Sequence, residues 1–263
     1  MISFIEERPS QAALWLVPLL EQWSRVSSGV KKQWIFFRIA SPAGLSALVI
    51  LDQKDHYVIM LGDFGPLIPQ VFRVVKDARP EIIIAEPGVF SLIVEHFPGE
   101  WCYVRVNLIY RLDPGGLLIA PDGRSREATE EDLPVLEKWN EEFLKEDSFW
   151  VNLSIDYRDQ VRKGKVHVYE KEGKIVSCMR IPYIGKRIVK FSATYTPPEH
   201  RRKGYASQLN ANVGAFYLLQ GKSMISDPLE SNQARIATLN KLGFKEVGRQ
   251  VSLLPDWNTF MTP

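Results

Sequence analysis

The stretch Ile188 to Gly221, IVKFSATYTPPEHRRKGYASQLNANVGAFYLLQG, constrains this chain more than any other. Branched and aromatic residues up to Tyr195 predict a strand, the paired prolines stop it, and the run that follows Gly204 predicts a long helix. Between strand and helix, Arg201-Arg-Lys-Gly-Tyr-Ala206 sets three cations and a glycine where the helix begins. The amides of a first helical turn have no carbonyl one turn behind them, so they point out of the loop. An anion placed there gains from those amides and from the positive helix end, and Gly204 lets it approach the backbone without meeting a Cβ. Taken alone, these residues leave two readings open, a pyrophosphate site or a solvated basic turn.

Composition narrows the classes of function. With 263 residues, 45% apolar and 24% charged, the chain has the make-up of a folded globular protein of one large domain or two modest ones. Thirty-three Lys and Arg against 31 Asp and Glu leave a net charge of +2, so no global field draws it to nucleic acid or to an anionic membrane. One short cluster, Arg201 to Lys203, covers few phosphates, which argues against a nucleic-acid partner. Cys102 and Cys178 have no metal-type spacing, so they are expected as buried thiols and no metal is expected. Acidic residues precede the short apolar run at the N-terminus, an order unlike a signal peptide, and no apolar run reaches the roughly 18 residues of a spanning helix. A cytoplasmic location without a membrane partner is the expectation.

Along the first half, an amphipathic helix is expected from Pro9 to Ser24, then a meander of strands at Trp34 to Ile39, Leu45 to Leu51 and Tyr57 to Leu61. A helix near Pro66 to Ala78, a strand at Glu81 to Ala85, a helix near Pro87 to His96 and a strand at Trp101 to Leu112 complete it. The turn signals Asp113-Pro-Gly-Gly and Ala120-Pro-Asp-Gly-Arg124 place a junction near residue 122, giving domains 1–122 and 123–263. Beyond it Thr129 and Asp132 have the spacing of a capping box for a helix carrying Leu133, Leu136, Trp139, Asn140 and Phe143. A helix around Leu153 to Arg162 and a hairpin of strands, Val166 to Glu170 and Ile175 to Ile181, precede the opening motif.

Arg201, Gly204 and Ala206 match the acyl-CoA loop pattern Arg/Gln-x-x-Gly-x-Gly/Ala, and here the sequence resembles the GNAT superfamily of N-acetyltransferases. Thr194 to His200 resembles the end of that family's fourth strand. Asn232-Gln-Ala-Arg-Ile-Ala-Thr-Leu-Asn-Lys-Leu-Gly-Phe244 resembles its Asn-containing helix ending in Leu-Gly-Phe, with the expected strand at Ser223 to Ser226 between the two motifs. The resemblance covers about residues 124 to 254. It implies an α+β fold, a mixed, mostly antiparallel bent sheet flanked by helices, whose fourth and fifth strands splay to admit the pantetheine arm.

It further implies acetyl-CoA or another acyl-CoA as cosubstrate, and as acceptor a small-molecule amine or a protein amino group that attacks the thioester directly. The loop Arg201, Arg202, Lys203, Gly204, Tyr205 and Ala206, with Ser207, would hold the pyrophosphate. Tyr195 and Thr196 would line the arm, and Asn232 would contact the coenzyme. Where relatives place a tyrosine as acid, ungapped alignment puts Leu239; water or Tyr217 is left for that role. For the base, Asp227 is set against a turn-capping role before Pro228, and Glu199 against an ion pair with its arginine neighbours. His200 and His167 are read as structural, and Trp139, Phe143, Phe149 and Trp150 either floor an acceptor pocket or pack the core. The first half reads as a degenerate GNAT-like repeat, so the fold is two tandem GNAT-like halves; the segment corresponding to the phosphate loop, Asp63 to Gln70, has no cationic cluster and no second coenzyme site is expected. A catalytically inactive acyl-CoA sensor or interaction module is the alternative.

Overall fold

The computed structural model describes residues 34–41, 44–52, 57–96, 101–146 and 157–255. The helix expected over 9–24, the start of the one expected over 153–162, and Phe149 and Trp150 lie outside them. The strands are β1 (Trp34–Ser41), β2 (Gly44–Asp52), β3 (Tyr57–Gly62), β4 (Ile82–Ala85), β5 (Trp101–Leu112), β6 (Ser125–Glu127), β7 (Val166–Lys171), β8 (Lys174–Ile184), β9 (Ile188–Tyr195), β10 (Ser223–Ser226) and β11 (Lys245–Pro255). The helices are α1 (Ile68–Ala78), α2 (Pro87–His96), α3 (Leu133–Glu146), α4 (Tyr157–Arg162), α5 (Tyr205–Leu219) and α6 (Gln233–Leu242). This is the mixed α+β architecture expected, with mostly antiparallel, open sheet flanked by helices.

The chain forms two compact units. One holds residues up to Ile109 with Pro228–Ser231 and Val247 onward, the other Tyr110–Asp227 with Asn232–Glu246. The junction expected near residue 122 therefore falls inside the second unit. The reason is strand allocation: Tyr110 to Leu112, at the end of β5, pair with Ser226 to Met224 of β10, whereas Val251 to Leu253 of β11 pair with Ala85 to Ile83 of β4. Each unit is thus closed by a strand from the opposite half of the sequence.

In the first unit the strand order is β1-β2-β3-β4-β11-β5. β1, β2 and β3 form an antiparallel meander, and β4 returns parallel to β3 through α1. α1 buries Ile68, Phe72 and Val75, the i, i+4, i+7 stripe of an amphipathic helix, and ends on Arg79 in the left-handed region. These side chains pack with Val49, Val58, Met60, Ile83 and Leu253. Each fully buried side chain of this kind contributes about 1.5–3 kcal/mol of transfer free energy.

In the second unit the order is β5-β10-β9-β8-β7-β6. β6 to β9 are antiparallel neighbours, and α5 carries the chain to β10, parallel to β9. Leu133, Leu136 and Trp139 of α3 pack with Tyr157, Val166, Val168, Cys178 and Tyr195. The helical turn Glu130–Asp132 that leads into α3 starts where the sequence places a helix: the Thr129 amide donates to Asp132 Oδ2 at 2.8 Å within a full capping box. Gly214 brings α5 close to β10, since a Cβ there would stand 2.8 Å from Met224 Sδ.

Candidate active site

The parallel pairing of β10 with β9 runs from Ser223↔Ile188 to Ile225↔Lys190. β9 continues for five residues past that point, to Tyr195, while β10 ends at Ser226. Two strands that stop pairing while one runs on open a wedge between them. An irregularity in β9 accompanies the opening: between Arg180↔Ser192 and Cys178↔Tyr195, Ala193 and Thr194 stand against Met179 alone, and Ala193 takes a φ of 47°. A bulge of this kind bends a strand and sharpens its twist.

α5, which packs on β9 and β10, begins beside the wedge. Gly204 is its N-cap, with φ 83° and no side-chain cap, and Arg202 is also left-handed at φ 60°. No atom lies within 4 Å of where a Cβ on Gly204 would stand. The amides of Tyr205, Ala206 and Ser207 thus begin a 15-residue helix beside open space, the arrangement that receives a phosphate.

The cations of the loop divide. Arg201 turns back, donating from Nε to the Thr196 carbonyl at 2.8 Å and from Nη2 to Glu146 of α3, with its guanidinium 5.7 Å from the centre of the Tyr195 ring. Its hydrogen bond to Glu146 raises its affinity for its proton above the ordinary value. Lys203 donates from Nζ to the Glu199 carbonyl at 2.9 Å, while Arg202 is exposed. Arg201 therefore fixes the loop to α3 and β9.

Tyr195 is buried and leans on α3, its ring 6.1 Å from that of Trp139 and its hydroxyl donating to Glu142 Oε2 at 2.8 Å. Burial, reinforced by Glu142, pushes the phenol well above its usual value. Its carbonyl accepts from Ser177 Oγ, which also lies 2.8 Å from Thr196 Oγ1. Asn232 caps α6, accepting the Arg235 amide at 3.0 Å on Oδ1.

Asp227 follows β10 directly and forms a 2.9 Å ion pair with Lys190 of β9, at the last pair before the wedge; only 7% of the Lys190 side chain and 14% of the Asp227 side chain are exposed. Arg235 of α6 joins them. Its Nη2 donates to Asn210 Oδ1 and Ser226 Oγ, both at 3.2 Å. Burial lowers its guanidinium to about 10, with the Asp227 charge opposing that shift. Tyr217 stands seven residues along α5 from Asn210, the α5 residue that meets this group, about 10.5 Å at 1.5 Å per residue. Burial raises its phenol too, and Lys222 Nζ lies 5.9 Å from its ring centre. Glu199 stands in the short helical turn Pro198–His200, and the His200 ring lies 6.3 Å from that of Tyr205.

Three buried polar atoms here have no hydrogen-bond partner: Thr194 Oγ1 on β9, Gln208 Oε1 on α5 and Arg235 Nη1 on α6. Buried polar atoms are seldom left unmet, so the trio suits a polar ligand arm entering between β9, α5 and α6. With the open space at Gly204, the residues present fit a coenzyme that has a pyrophosphate and an amide-rich arm. Lys190 and Arg235 escaped the sequence reading; Lys190 had one signal, a charge within the apolar run Ile188 to Phe191, and Arg235 had none, since Lys241 and several polar residues share its helix. His167 and Arg180 also bury an unpartnered nitrogen, on β7 and β8. Burial lowers the proton affinity of both, and the Arg180 guanidinium lies 5.8 Å from the centre of the Tyr157 ring. No group of metal-binding residues is found among the described residues, and no helix there is long and apolar enough to cross a membrane.

A wedge between parallel strands beside a glycine-turned helix start can take a ligand that carries a phosphate and an extended arm. Residues 126–244 match the Acetyltransferase (GNAT) family. Solved structures share the fold across most of the chain. A GNAT-family acetyltransferase from Colwellia psychrerythraea is 14% identical, with 92% of this chain and 96% of that one covered at a TM-score of 0.58. A GCN5-related N-acetyltransferase from Kribbella flavida is 16% identical, with 90% and 93% covered and a TM-score of 0.56. A tandem GNAT protein from the clavulanic acid biosynthesis pathway is 13% identical, with 85% and 83% covered and a TM-score of 0.51. No curated protein matches the sequence.

Proposed function

We propose that this protein is an N-acyltransferase that moves an acetyl or other acyl group from acyl-CoA to an amino group of a small molecule or of a protein. The observation that carries the reading is the left-handed Gly204 turn at the start of α5, beside the strands that part after Lys190. In this reading the amides from Arg202 to Ala206 and the Ser207 hydroxyl hold the pyrophosphate, Arg201 braces the loop, and Lys203 adds charge. Tyr195 and Thr196 at the end of β9, with Asn232 at the start of α6, flank the arm.

Bound acyl-CoA supplies a thioester carbonyl already activated toward amines, so the chain needs no nucleophilic side chain of its own. Its residues align the reactants and manage charge and protons. Asp227, oriented by Lys190, accepts the proton that leaves the amine.

The first half is proposed to be a degenerate GNAT-like repeat. Strand, helix, strand, helix, strand recurs as β3-α1-β4-α2-β5 and β9-α5-β10-α6-β11, with the first two strands of each series parallel. The similar clavulanic acid pathway protein is itself described as tandem. At the place of the phosphate loop the first series has Asp63 accepting the Gly65 amide and no cationic cluster, which supports a structural role for that half. The proposed setting is cytoplasmic, in keeping with a buried free thiol at Cys178.

Calorimetric titration with acetyl-CoA tests the coenzyme reading. The parent is expected to bind, and Gly204→Glu, checked for folding by circular dichroism, to bind at least about 100-fold more weakly, since two charge-assisted hydrogen bonds are worth about 1.5–3 kcal/mol each. Absence of binding to acetyl-CoA and to longer acyl-CoAs would overturn it. Transfer to a panel of amino acids, polyamines and peptides tests the reaction itself.

A further inference from the structure

We propose that Arg235, through Nη1, receives the negative charge that collects on the coenzyme sulfur as the acyl group leaves. The inference rests on the acyl-CoA reading and goes beyond it, to the question of what serves the leaving group. In the transfer, the amine nitrogen bonds to the thioester carbonyl carbon, the carbon–sulfur bond breaks with its electron pair on sulfur, and one proton leaves nitrogen for Asp227 or water. The thiolate needs a donor or a positive charge. Leu239, fully buried on α6, supplies neither.

Arg235 is four residues before Leu239 on the same helix, so the two share a face. Its guanidinium spans three elements, reaching Asn210 of α5 and Ser226 of β10 through Nη2 while Nη1 is buried and unmet. A buried donor without an acceptor costs about 1–3 kcal/mol. An arginine held on one side and unmet on the other is built for an acceptor that the chain does not contain.

The sign of the surroundings selects that acceptor. Among the described residues, the charges placed beside Arg235 are Asp227 at the end of β10 and, paired to it, Lys190 of β9; from α5 the contact is the neutral Asn210. One carboxylate and two cations leave a net positive charge, which attracts a thiolate and repels the ammonium form of an acceptor. Although burial lowers its proton affinity, the guanidinium stays protonated at neutral pH. Unlike a tyrosine it stabilises the thiolate without giving up a proton.

The test follows the proton of the coenzyme thiol and needs no acceptor. CoA and desulfo-CoA are titrated calorimetrically into the full-length protein, in buffers of different ionisation heat, between about pH 7 and 9, around the ordinary thiol value of about 8.5. The parent is expected to release protons on binding CoA and not on binding desulfo-CoA, because the bound thiol ionises. Arg235→Met is expected to abolish that release, and Arg235→Lys, which keeps a charge in similar volume, to retain part of it. Equal release by parent and Arg235→Met, or none that depends on the sulfur in the parent, overturns the proposal and leaves the acyl-CoA reading standing. Failure of the parent to bind CoA at all overturns both. If Arg235→Met does not fold, the parent with the two ligands, and Arg235→Lys, still decide the matter.

Discussion

Asp227 and Lys190 illustrate how a residue acquires its chemistry from its enclosure. A carboxylate and an ammonium that meet at 2.9 Å with little exposure have exchanged water for each other, and removing one costs the other its ion pair. Asp227→Asn is therefore expected to lower stability by about 3–5 kcal/mol in urea unfolding, and Asp227→Asn with Lys190→Met by clearly less. If Asp227 is the proton acceptor, the single variant also loses the acidic limb of the kcat/KM profile; an unchanged limb removes it from that role. The glycine-turned start of α5 could be read from sequence because its features are local: Gly204, the cations and the helix start lie within a few residues. Arg235 could not, since its meaning comes from Asn210, 25 residues before it, and from Ser226.

At the scale of elements, the starts and ends of helices repay close reading. Asp132 closes the capping box of the turn Glu130–Asp132 that leads into α3, and it takes both terminal nitrogens of Arg126, at 2.7 and 3.0 Å. Burial alone would raise its carboxyl, but these bonds and the Thr129 amide outweigh it and hold the value below the ordinary one. The folded value lies below the unfolded value of about 3.9, so the stabilisation is complete above about pH 4 and is lost as pH falls through the folded value. Asp132→Asn is expected to cost about 1–3 kcal/mol at neutral pH and to flatten the acid limb of a stability profile measured by urea unfolding. Gly243 ends α6 at φ 98°, where a Cβ would fall 2.1 Å from the Gly116 carbonyl. Gly243→Ala is expected to lower stability by at least about 2 kcal/mol, left-handed strain alone being about 1–2, with thermal unfolding as the readout. The box and the glycine were legible because caps are short-range devices. The bulge at Ala193 was not: it arises from the register between β8 and β9, which no local pattern encodes.

For the whole molecule, the order of elements was legible and their allocation was not. Turn chemistry marks residue 122 clearly, yet a turn says nothing of which strand completes which sheet. Fragments cut there are expected to fail as folded units: 1–122 lacks the β11 residues that pair with β4, and 123–263 lacks the β5 residues that pair with β10. Broad urea transitions and poor protection from hydrogen exchange in each fragment would bear this out, and a cooperative transition in either would contradict it. The exchanged strands also bear on how the chain is made. The second unit needs nothing beyond Glu246, while the first, begun earlier, waits for Val251 to Leu253 near the end of the sequence. On a ribosome the second unit is complete before the first, and from the emergence of β4 until that of Val251 to Leu253 one edge of β4 stays unpaired, exposed to whatever strand arrives before its own.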